Sequence, residues 1–163
     1  MLNFQIVQYR NTPQEDAEII SLLTRVFVGE GYTDRLVAEK MFEPSELKKR
    51  GEIILARSGT SLVGMVIFVQ HFNSARQVAK TDEAEIHLLA VYPQARNQGV
   101  ASALILGCER RAILSGYAKM VLSTQKTMKS AHRLYEKHGY HRNSNRDWEK
   151  HGKSYYVYEK LLK

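Results

Sequence analysis

The pattern of apolar and polar residues divides the chain into segments with the two-residue period of a strand and segments with the period of a helix. Short runs rich in β-branched and aromatic residues predict strands at residues 4–9, 52–57, 61–70, 84–93, 119–123, 140–143 and 154–162. Apolar residues three and four apart predict a helix that ends at Gly29 and Gly31, and further helices over residues 34–42, 99–115 and 128–138.

This order of elements predicts one domain that spans residues 1–163 and has an α/β fold. Ser58-Gly59-Thr60 separates two predicted strands and is typical of a hairpin turn. Most neighbouring strands can pair as hairpins, whereas the helices over residues 99–115 and 128–138 connect strands as crossovers. The expected architecture is a mixed, mostly antiparallel central sheet with helices on both faces.

The first helix has a start signal of three residues. Thr12 is a favourable N-cap, Pro13 suits the first helical position, and Glu15 completes a capping box. The apolar face that follows at helical spacing consists of Ala17, Ile20, Leu23 and Phe27.

The composition excludes several classes of protein. No apolar run approaches the roughly 18 residues that a membrane span needs, and residues 1–10 lack the basic-then-apolar layout of a signal peptide. Cys108 is the single cysteine, so no disulfide can form within the chain, and we expect it to be a buried helix residue. These features favour a cytoplasmic location and predict no membrane partner.

Positive charge is concentrated near the C-terminus. The formal net charge is +7, and residues 126–163 contain 10 of the 24 basic residues but 4 of the 17 acidic ones. Such a segment suits nucleic acid, an acidic membrane surface or a phosphorylated small molecule, and it also suits a solvated face without a partner. Charge alone does not choose among these.

One helix start has the composition of an anion-binding turn. In RNQGVA (96–101), Gly99 and Ala101 leave room for an anion to approach the unpaired N–H groups of the first helical turn, and Arg96 adds a positive charge. No G-x-x-x-x-G-K-[ST] or G-x-G-x-x-G motif occurs, which excludes a P-loop and a dinucleotide fingerprint. By spacing alone, RNQGVA is equally compatible with a tight strand-to-helix connection.

Two motifs together resemble the GNAT family of N-acetyltransferases. LAVYPQARNQGVASAL (89–104) is similar to the family's strand, proline turn and [Arg/Gln]-x-x-Gly-x-[Gly/Ala] helix start, and AHRLYEKHGY (131–140) is similar to its later Leu-Tyr-Glu-Lys helix. The resemblance is clear over residues 84–142. It implies the acyl-CoA N-acyltransferase fold and acetyl-CoA as co-substrate, with its pyrophosphate at the turn.

The resemblance also implies the binding residues. Those expected to bind acetyl-CoA are Leu89, Ala90, Val91, Arg96, Asn97, Gln98, Gly99, Val100 and Ala101. A backbone N–H between Leu89 and Val91, where the family's strand bulges, would stabilise the oxyanion. Met128 stands where many relatives have an asparagine that contacts the cofactor, so Thr127 or Ser130 would have to replace that contact.

Glu85 and Tyr135 are the expected catalytic residues. Glu85 matches the general base of the family's histone acetyltransferases, and we expect burial to raise its pKa. His87 points to the same face of the strand and is the alternative base. Tyr135 would protonate the leaving thiolate. Each has a structural alternative, because Glu85 also suits a half-exposed strand and Tyr135 an apolar helical stripe.

No metal site is expected, although His138 and His141 have an H-x-x-H spacing. Trp148 is compatible with an acceptor pocket and with packing of the last hairpin. The exposed edge strands expected at the C-terminus make a homodimer plausible.

We therefore expect acetyl transfer to a primary amine by direct attack in a ternary complex. The acceptor would bind near residues 27–42 and 71–83, where acidic side chains would attract a cationic amine; these are Glu30, Asp34, Asp82 and Glu83. The alternatives are a module that senses acyl-CoA without catalysis and a basic nucleic-acid-binding domain. The latter is disfavoured because no helix-turn-helix or aromatic-basic sheet is predicted.

Overall fold

The structure, a computed structural model, describes residues 1–163 and contains an eight-stranded sheet. Its strands are β1 (Gln5–Gln8), β2 (Glu52–Ser58), β3 (Ser61–Val69), β4 (Glu83–Val91), β5 (Lys119–Gln125), β6 (His141–Arg142), β7 (Trp148–Lys150) and β8 (Lys153–Leu161). Its helices are α1 (Pro13–Leu23), α2 (Arg35–Met41), α3 (Pro44–Arg50), α4 (Val100–Leu114) and α5 (Lys129–Lys137). None of these helices has both the length and the apolar character that crossing a membrane requires.

The sheet is mixed and mostly antiparallel, as predicted. Its strand order is β1-β2-β3-β4-β5-β8-β6, and β7 also pairs with β8. Only β4 and β5 run parallel, because α4 connects them as a crossover. The predicted fold class is therefore confirmed.

A separate hydrophobic core covers each face of the sheet. On one face α4 and α5 pack through residues such as Leu104 and Tyr135. On the other face α1, α2 and α3 contribute Leu22, Ala38 and Leu47, among others. The sheet is thus covered on both sides, and any site at its centre has to open through a gap between strands.

α1 begins as predicted, but its buried face differs. The Thr12 hydroxyl accepts a hydrogen bond from the N–H of Glu15 at 3.1 Å, so the N-cap is confirmed. The Glu15 carboxylate does not return to Thr12 and instead accepts hydrogen bonds from the N–H of Arg10 and from the Arg57 guanidinium. Glu15 therefore faces the sheet, and Ala17 is exposed. The buried apolar residues here are Ile19, Leu22, Leu23 and Val26.

Two elements near α1 are additional to those predicted. α1 continues as a π-helical turn over Thr24–Val28, and α3 begins at Pro44. Pro44 suggests a helix stop in the sequence, but it occupies the first turn of a new helix, where its missing N–H costs nothing. α3 is held on the sheet by Leu47, which is 2% exposed. β7 is a further addition, since no strand was predicted between residues 143 and 154.

Gly64 on β3 lies directly beneath α4. A Cβ atom at Gly64 would lie 2.9 Å from Val100 Cγ1 and 3.2 Å from Leu104 Cδ1.

We expect Gly64→Ala to lower the free energy of unfolding by about 1–3 kcal/mol through overpacking, as measured by urea denaturation. Gly107→Ala is the control, because its nearest neighbour is 3.8 Å away and alanine favours the helix. An unchanged stability of Gly64→Ala would contradict close packing of α4 on β3.

Candidate active site

β4 and β5 separate halfway along their length. Their parallel pairing extends only from Glu83–Lys119 to Ile86–Leu122. Beyond this point β4 bulges. Ile67 on β3 pairs with His87 and Met65 pairs with Ala90, so one residue of β3 lies opposite two residues of β4. Leu88, in the bulge, has a φ of 49°. A bulge bends its strand, so the edge of β4 that follows is left without a strand partner on the β5 side.

A cleft of about 540 Å³ opens at this separation. It is bounded by the end of β4, the turn before α4, one face of α5 and the segment after α1. The predicted residues that line the cleft are Leu89, Ala90, Val91, Arg96, Asn97, Gly99, Val100, Ala101 and Tyr135. Residues that are far apart in the sequence are thus brought to a single site.

The turn before α4 leaves its backbone donors open. Gly99 has a φ of 86° and Asn97 a φ of 60°, so two left-handed residues fold the chain sharply into the helix. The first hydrogen bond of this helix runs from the N–H of Ala103 to the carbonyl of Gly99, and no side chain caps the earlier N–H groups. A Cβ atom at Gly99 would meet no atom within 4 Å. The space and the donors required by an anion are both present.

Arg96 lines the cleft, but its charge is already paired. Its guanidinium forms two hydrogen bonds with Glu30, at 3.0 and 2.6 Å, and its Nε donates to the carbonyl of Val91 at 3.0 Å. The hydrogen bonds from Arg96 hold the pKa of Glu30 below its usual range. Arg96, which was predicted to face the phosphates, and Glu30, which was predicted to attract the acceptor amine, therefore form an ion pair with each other.

Gln98 does not line the cleft. Its side-chain oxygen accepts a hydrogen bond from the N–H of Leu2, which ties the turn to the start of the chain. Thr127 and Ser130 were the candidates to replace the cofactor contact that Met128 does not make. Ser130 lines the cleft and Thr127 does not. Met128 itself lines the cleft, and its sulfur lies 3.7 Å from the Thr124 hydroxyl.

Tyr135 projects from α5 into the cleft with 6% of its surface exposed. Burial raises the pKa of Tyr135, so the phenol keeps its proton at neutral pH. Its ring centroid lies 5.9 Å from that of Tyr140, which is buried in the core below. A protonated phenol at the cleft wall has the form that a general acid needs.

Glu85 lies on β4 outside the cleft and is fully buried. Its carboxylate accepts hydrogen bonds from three consecutive backbone N–H groups, those of residues 77–79, at 2.7–2.8 Å, and also contacts His87 Nε2. Burial by itself would raise the pKa of Glu85, but these hydrogen bonds, that from His87 foremost, outweigh it and hold the pKa below its ordinary value. The expectation of a raised pKa for Glu85 is therefore wrong, because the hydrogen bonds to the carboxylate outweigh its burial.

His87 connects Glu85 to Arg50 at the end of α3. His87 Nδ1 lies 3.2 Å from Arg50 Nη1. Because a guanidinium only donates, Nδ1 is the acceptor and the proton of the ring is on Nε2, which donates to Glu85. Both ring nitrogens are therefore used in a chain of three side chains on the face of the sheet that α1, α2 and α3 cover.

Three of the ten basic residues in the C-terminal segment form ion pairs. Arg146 binds Glu83 and Glu159, and Lys160 binds Glu109. Arg142 pairs with Asp147 and lies 3.3 Å above the ring of Tyr156. These charges join the last strands to the rest of the sheet.

The remaining predicted residues have structural contacts. Trp148 stacks on Tyr155 with centroids 4.3 Å apart and donates to the Ser123 hydroxyl, so it packs the last hairpin. Cys108 is fully buried in α4, as expected. His138 binds the Ser102 hydroxyl at 2.8 Å. No cluster of three or more His, Cys, Asp or Glu side chains suited to a metal ion is present.

The cleft also contains residues that were not among the predicted cofactor-binding or catalytic residues. Its apolar end near the α1 segment is formed by Val26, Phe27 and Tyr32, of which the last two lie within the stretch predicted to bind the acceptor, and the α5 side includes Leu134 and Lys137. Leu134 and Lys137 flank Tyr135 in the motif, so helical periodicity was a usable signal for them. The residues of the α1 segment carry no local signal, because only the packing of that segment brings them to the cleft.

Several solved acetyltransferase structures share the fold of this protein. An acetyltransferase from Streptococcus agalactiae superimposes with a TM-score of 0.77 at 20% identity, covering 98% of both chains. A GNAT-family acetyltransferase from Staphylococcus aureus gives 0.76 at 18% identity, covering 99% of this chain and all of the other. PaiA N-acetyltransferase from Thermoplasma acidophilum, solved with coenzyme A, gives 0.73 at 12% identity, covering 96% and 98%. The fold is that of an acetyltransferase.

The model of the acetyltransferase (GNAT) family matches residues 16–140. The chain belongs to the GNAT acetyltransferase family. No curated protein matches the sequence.

Glu85 is expected to stabilise the fold through its charge. Its pKa is lower in the native state than in the unfolded chain, so its contribution is present at neutral pH and is lost as the pH falls through the native value. We expect Glu85→Gln to lower the free energy of unfolding by about 3 kcal/mol at pH 7 and by much less near pH 3, as measured by urea denaturation.

Glu39→Gln on α2 is the matched control, because Glu39 is exposed and forms no salt bridge. Its stability should follow that of the wild-type protein at both pH values. Equal losses for Glu85→Gln at pH 7 and pH 3 would contradict a role for the carboxylate charge.

Proposed function

We propose that this protein is an N-acetyltransferase that moves the acetyl group of acetyl-CoA to a primary amine by direct attack in a ternary complex. The observation that carries the proposal is the single cleft joining the open N-terminus of α4, the unpaired edge of β4 and the Tyr135 phenol. Each of these matches one requirement of acetyl transfer: anion binding, carbonyl polarisation and protonation of the leaving group.

The residues of the cleft fit acetyl-CoA as co-substrate. The space over Gly99 and the free N–H groups from Val100 onward suit a pyrophosphate, and the unpaired β4 edge suits an amide-containing arm that adds to it like a strand. Lys137 supplies a positive charge at the cleft wall, whereas Arg96 is held by Glu30. Acetyl-CoA, when bound, supplies the thioester.

The backbone N–H groups of Leu89–Val91 are our candidates for stabilising the oxyanion, and Tyr135 for protonating the thiolate. The amine must lose a proton, since an alkylamine has a pKa of about 10.4. Glu85 remains our candidate for the base, reached through water or through His87. Because Glu85 accepts several hydrogen bonds and has a lowered pKa, we expect its contribution to be smaller than the roughly 10²–10⁴-fold of a well-matched base.

The direct test combines binding with turnover. Thermal stability is measured with acetyl-CoA, free coenzyme A and ADP, and release of the coenzyme A thiol is then followed across a panel of amines. A ligand at about 100 times its Kd adds roughly 2.7 kcal/mol of stability. Binding with thiol release supports the proposal, binding without release with any amine supports the sensor alternative, and no binding refutes both.

The anion site is tested by placing a carboxylate in it. We expect Ala101→Asp to weaken acetyl-CoA binding at least about tenfold, because the carboxylate repels the pyrophosphate, while the fold persists because an acidic residue suits a helix N-terminus. The measurement is isothermal titration calorimetry. Ala103→Asp, in the same helical turn but outside the cleft lining, is the control and should retain the wild-type Kd. Equal Kd values for both variants would place the phosphates elsewhere.

The general acid is tested by removing one hydroxyl group. We expect Tyr135→Phe to lower kcat about 10- to 100-fold with little change in the Kd of acetyl-CoA, since only proton donation is lost. Tyr140→Phe is the control, because its buried hydroxyl has no hydrogen-bond partner. Steady-state kinetics with one amine measures both. A Tyr135→Phe enzyme with wild-type kcat would exclude Tyr135 as the acid.

A further inference from the structure

We infer that the acceptor amine also carries a carboxylate and that Arg50 binds it. This inference rests on the proposed acetyltransferase function and names the chemical class of its acceptor. Arg50 ends α3, is partly buried, and forms one hydrogen bond, to His87 Nδ1 at 3.2 Å. It forms no salt bridge, so most of its five N–H donors are available to a ligand.

Arg50 differs in this respect from every other arginine in the chain. Six arginines pair with carboxylates; they are Arg10, Arg57, Arg96, Arg111, Arg142 and Arg146. The other five are exposed to solvent; they are Arg25, Arg35, Arg76, Arg110 and Arg133. Removing a guanidinium from water without an anionic partner is unfavourable. Arg50 is therefore a sheltered cation without a carboxylate in direct contact; Glu46 and Glu85 attract it only at longer range, which leaves its free donors to an anion from outside the chain.

The neighbouring carboxylates are not available to a second positive charge. Glu85 is surrounded by backbone N–H groups and His87, Glu83 binds Arg146, and Glu30 binds Arg96. Glu46, on the same helix as Arg50, pairs with Lys49. A polyamine would find no free anion among these groups; Asp34 and Asp82, which form no salt bridge, are exposed to solvent. A carboxylate would find Arg50.

Arg50 lies on the opposite face of the sheet from the phosphate-binding turn. Its partner His87 pairs with Ile67, which belongs to the core under α1, α2 and α3, whereas α4 packs on the other core. The loop after β3 adjoins Arg50, because the Asn73 amide donates to the carbonyl of Lys49 at 2.9 Å. The anion bound there is therefore separate from the phosphates of coenzyme A.

The position of Arg50 also restricts the length of the acceptor. Arg50 contacts the His87 side chain rather than the strand backbone, and the proposed oxyanion site begins at Leu89, beyond the bulge at Leu88, so the two sites lie several ångströms apart. The amine and the carboxylate of an α-amino acid are joined through one carbon and do not span this distance. An ω-amino acid of four to six carbons, or a short peptide, does.

The experiment compares acceptors that differ only in the carboxylate. After acetyl-CoA binding is established by calorimetry, thiol release is measured with 4-aminobutyrate, 5-aminopentanoate and 6-aminohexanoate, with their carboxamides, and with glycine and spermidine. We expect the three longer amino acids to give a kcat/KM at least about tenfold above their carboxamides, glycine and spermidine. Equal or higher values for the carboxamides or for spermidine would overturn the inference.

Variants then assign the effect to Arg50. Arg50→Gln should lower kcat/KM for the preferred amino acid about 10- to 100-fold more than for its carboxamide, the range of a lost charged hydrogen bond; any loss through the contact with His87 affects both acceptors alike. Arg50→Lys should restore part of the loss. Lys49→Gln, on the exposed side of α3, is the matched control and should behave as wild type. An equal loss with both acceptors would mean that Arg50 acts through the fold or through His87, and it would overturn the inference.

Direct binding decides the matter if no acceptor in the panel is turned over. 5-Aminopentanoate should then raise the thermal stability of the wild-type protein more than its carboxamide does, and Arg50→Gln should abolish the difference. No difference in the wild-type protein would overturn the inference. Binding of acetyl-CoA would still be intact in that case, so this failure is distinguishable from failure of the proposed function.

Discussion

The separation of β4 from β5 is the constraint on which the rest of the structure depends. A sheet covered by helices on both faces has no internal space unless two strands part. Here the parallel pairing stops at Ile86, and the bulge after His87 bends β4 away from β5. The α4 crossover requires these two strands to be parallel, and the same crossover places the first turn of α4 at the opening. Cleft, open backbone edge and anion-binding turn are consequences of one interruption in the hydrogen bonding.

The charges of the molecule are divided between paired and unpaired groups. In the basic C-terminal segment Arg146, Lys160 and Arg142 are bound to carboxylates within the fold, whereas the other seven basic residues form no salt bridge. Paired charges lose most of their long-range field in salt solution. A site is better recognised by a sheltered charge that lacks a partner, and Arg50 is the arginine that meets this criterion.

The same distinction explains which residues of the candidate site could be predicted. Gly99, Ala101 and Tyr135, predicted to bind the cofactor or to act in catalysis, all line the cleft, and each belongs to a local motif whose geometry is set within one turn of a helix. Arg96 and Glu85 were identified as charged groups near the site. Strand periodicity places His87 beside Glu85, but no periodicity connects residue 30 to Arg96 or residues 77–79 to Glu85. Those partners neutralise Arg96 and lower the pKa of Glu85, the reverse of what burial alone would do.

By itself the sequence determined the order of the elements, the mixed α/β class and the two motifs, since strand and helix periods and the steric demands of glycine and proline act over a few residues. Only the tertiary structure decided the buried face of α1, the helix that begins at Pro44 and the pairing of each charge. These depend on contacts between distant segments: Glu15 turns toward Arg57, and Glu30 toward Arg96. The energy of such a pair depends on how both groups are buried and positioned together, and that is set by the packing of the whole chain.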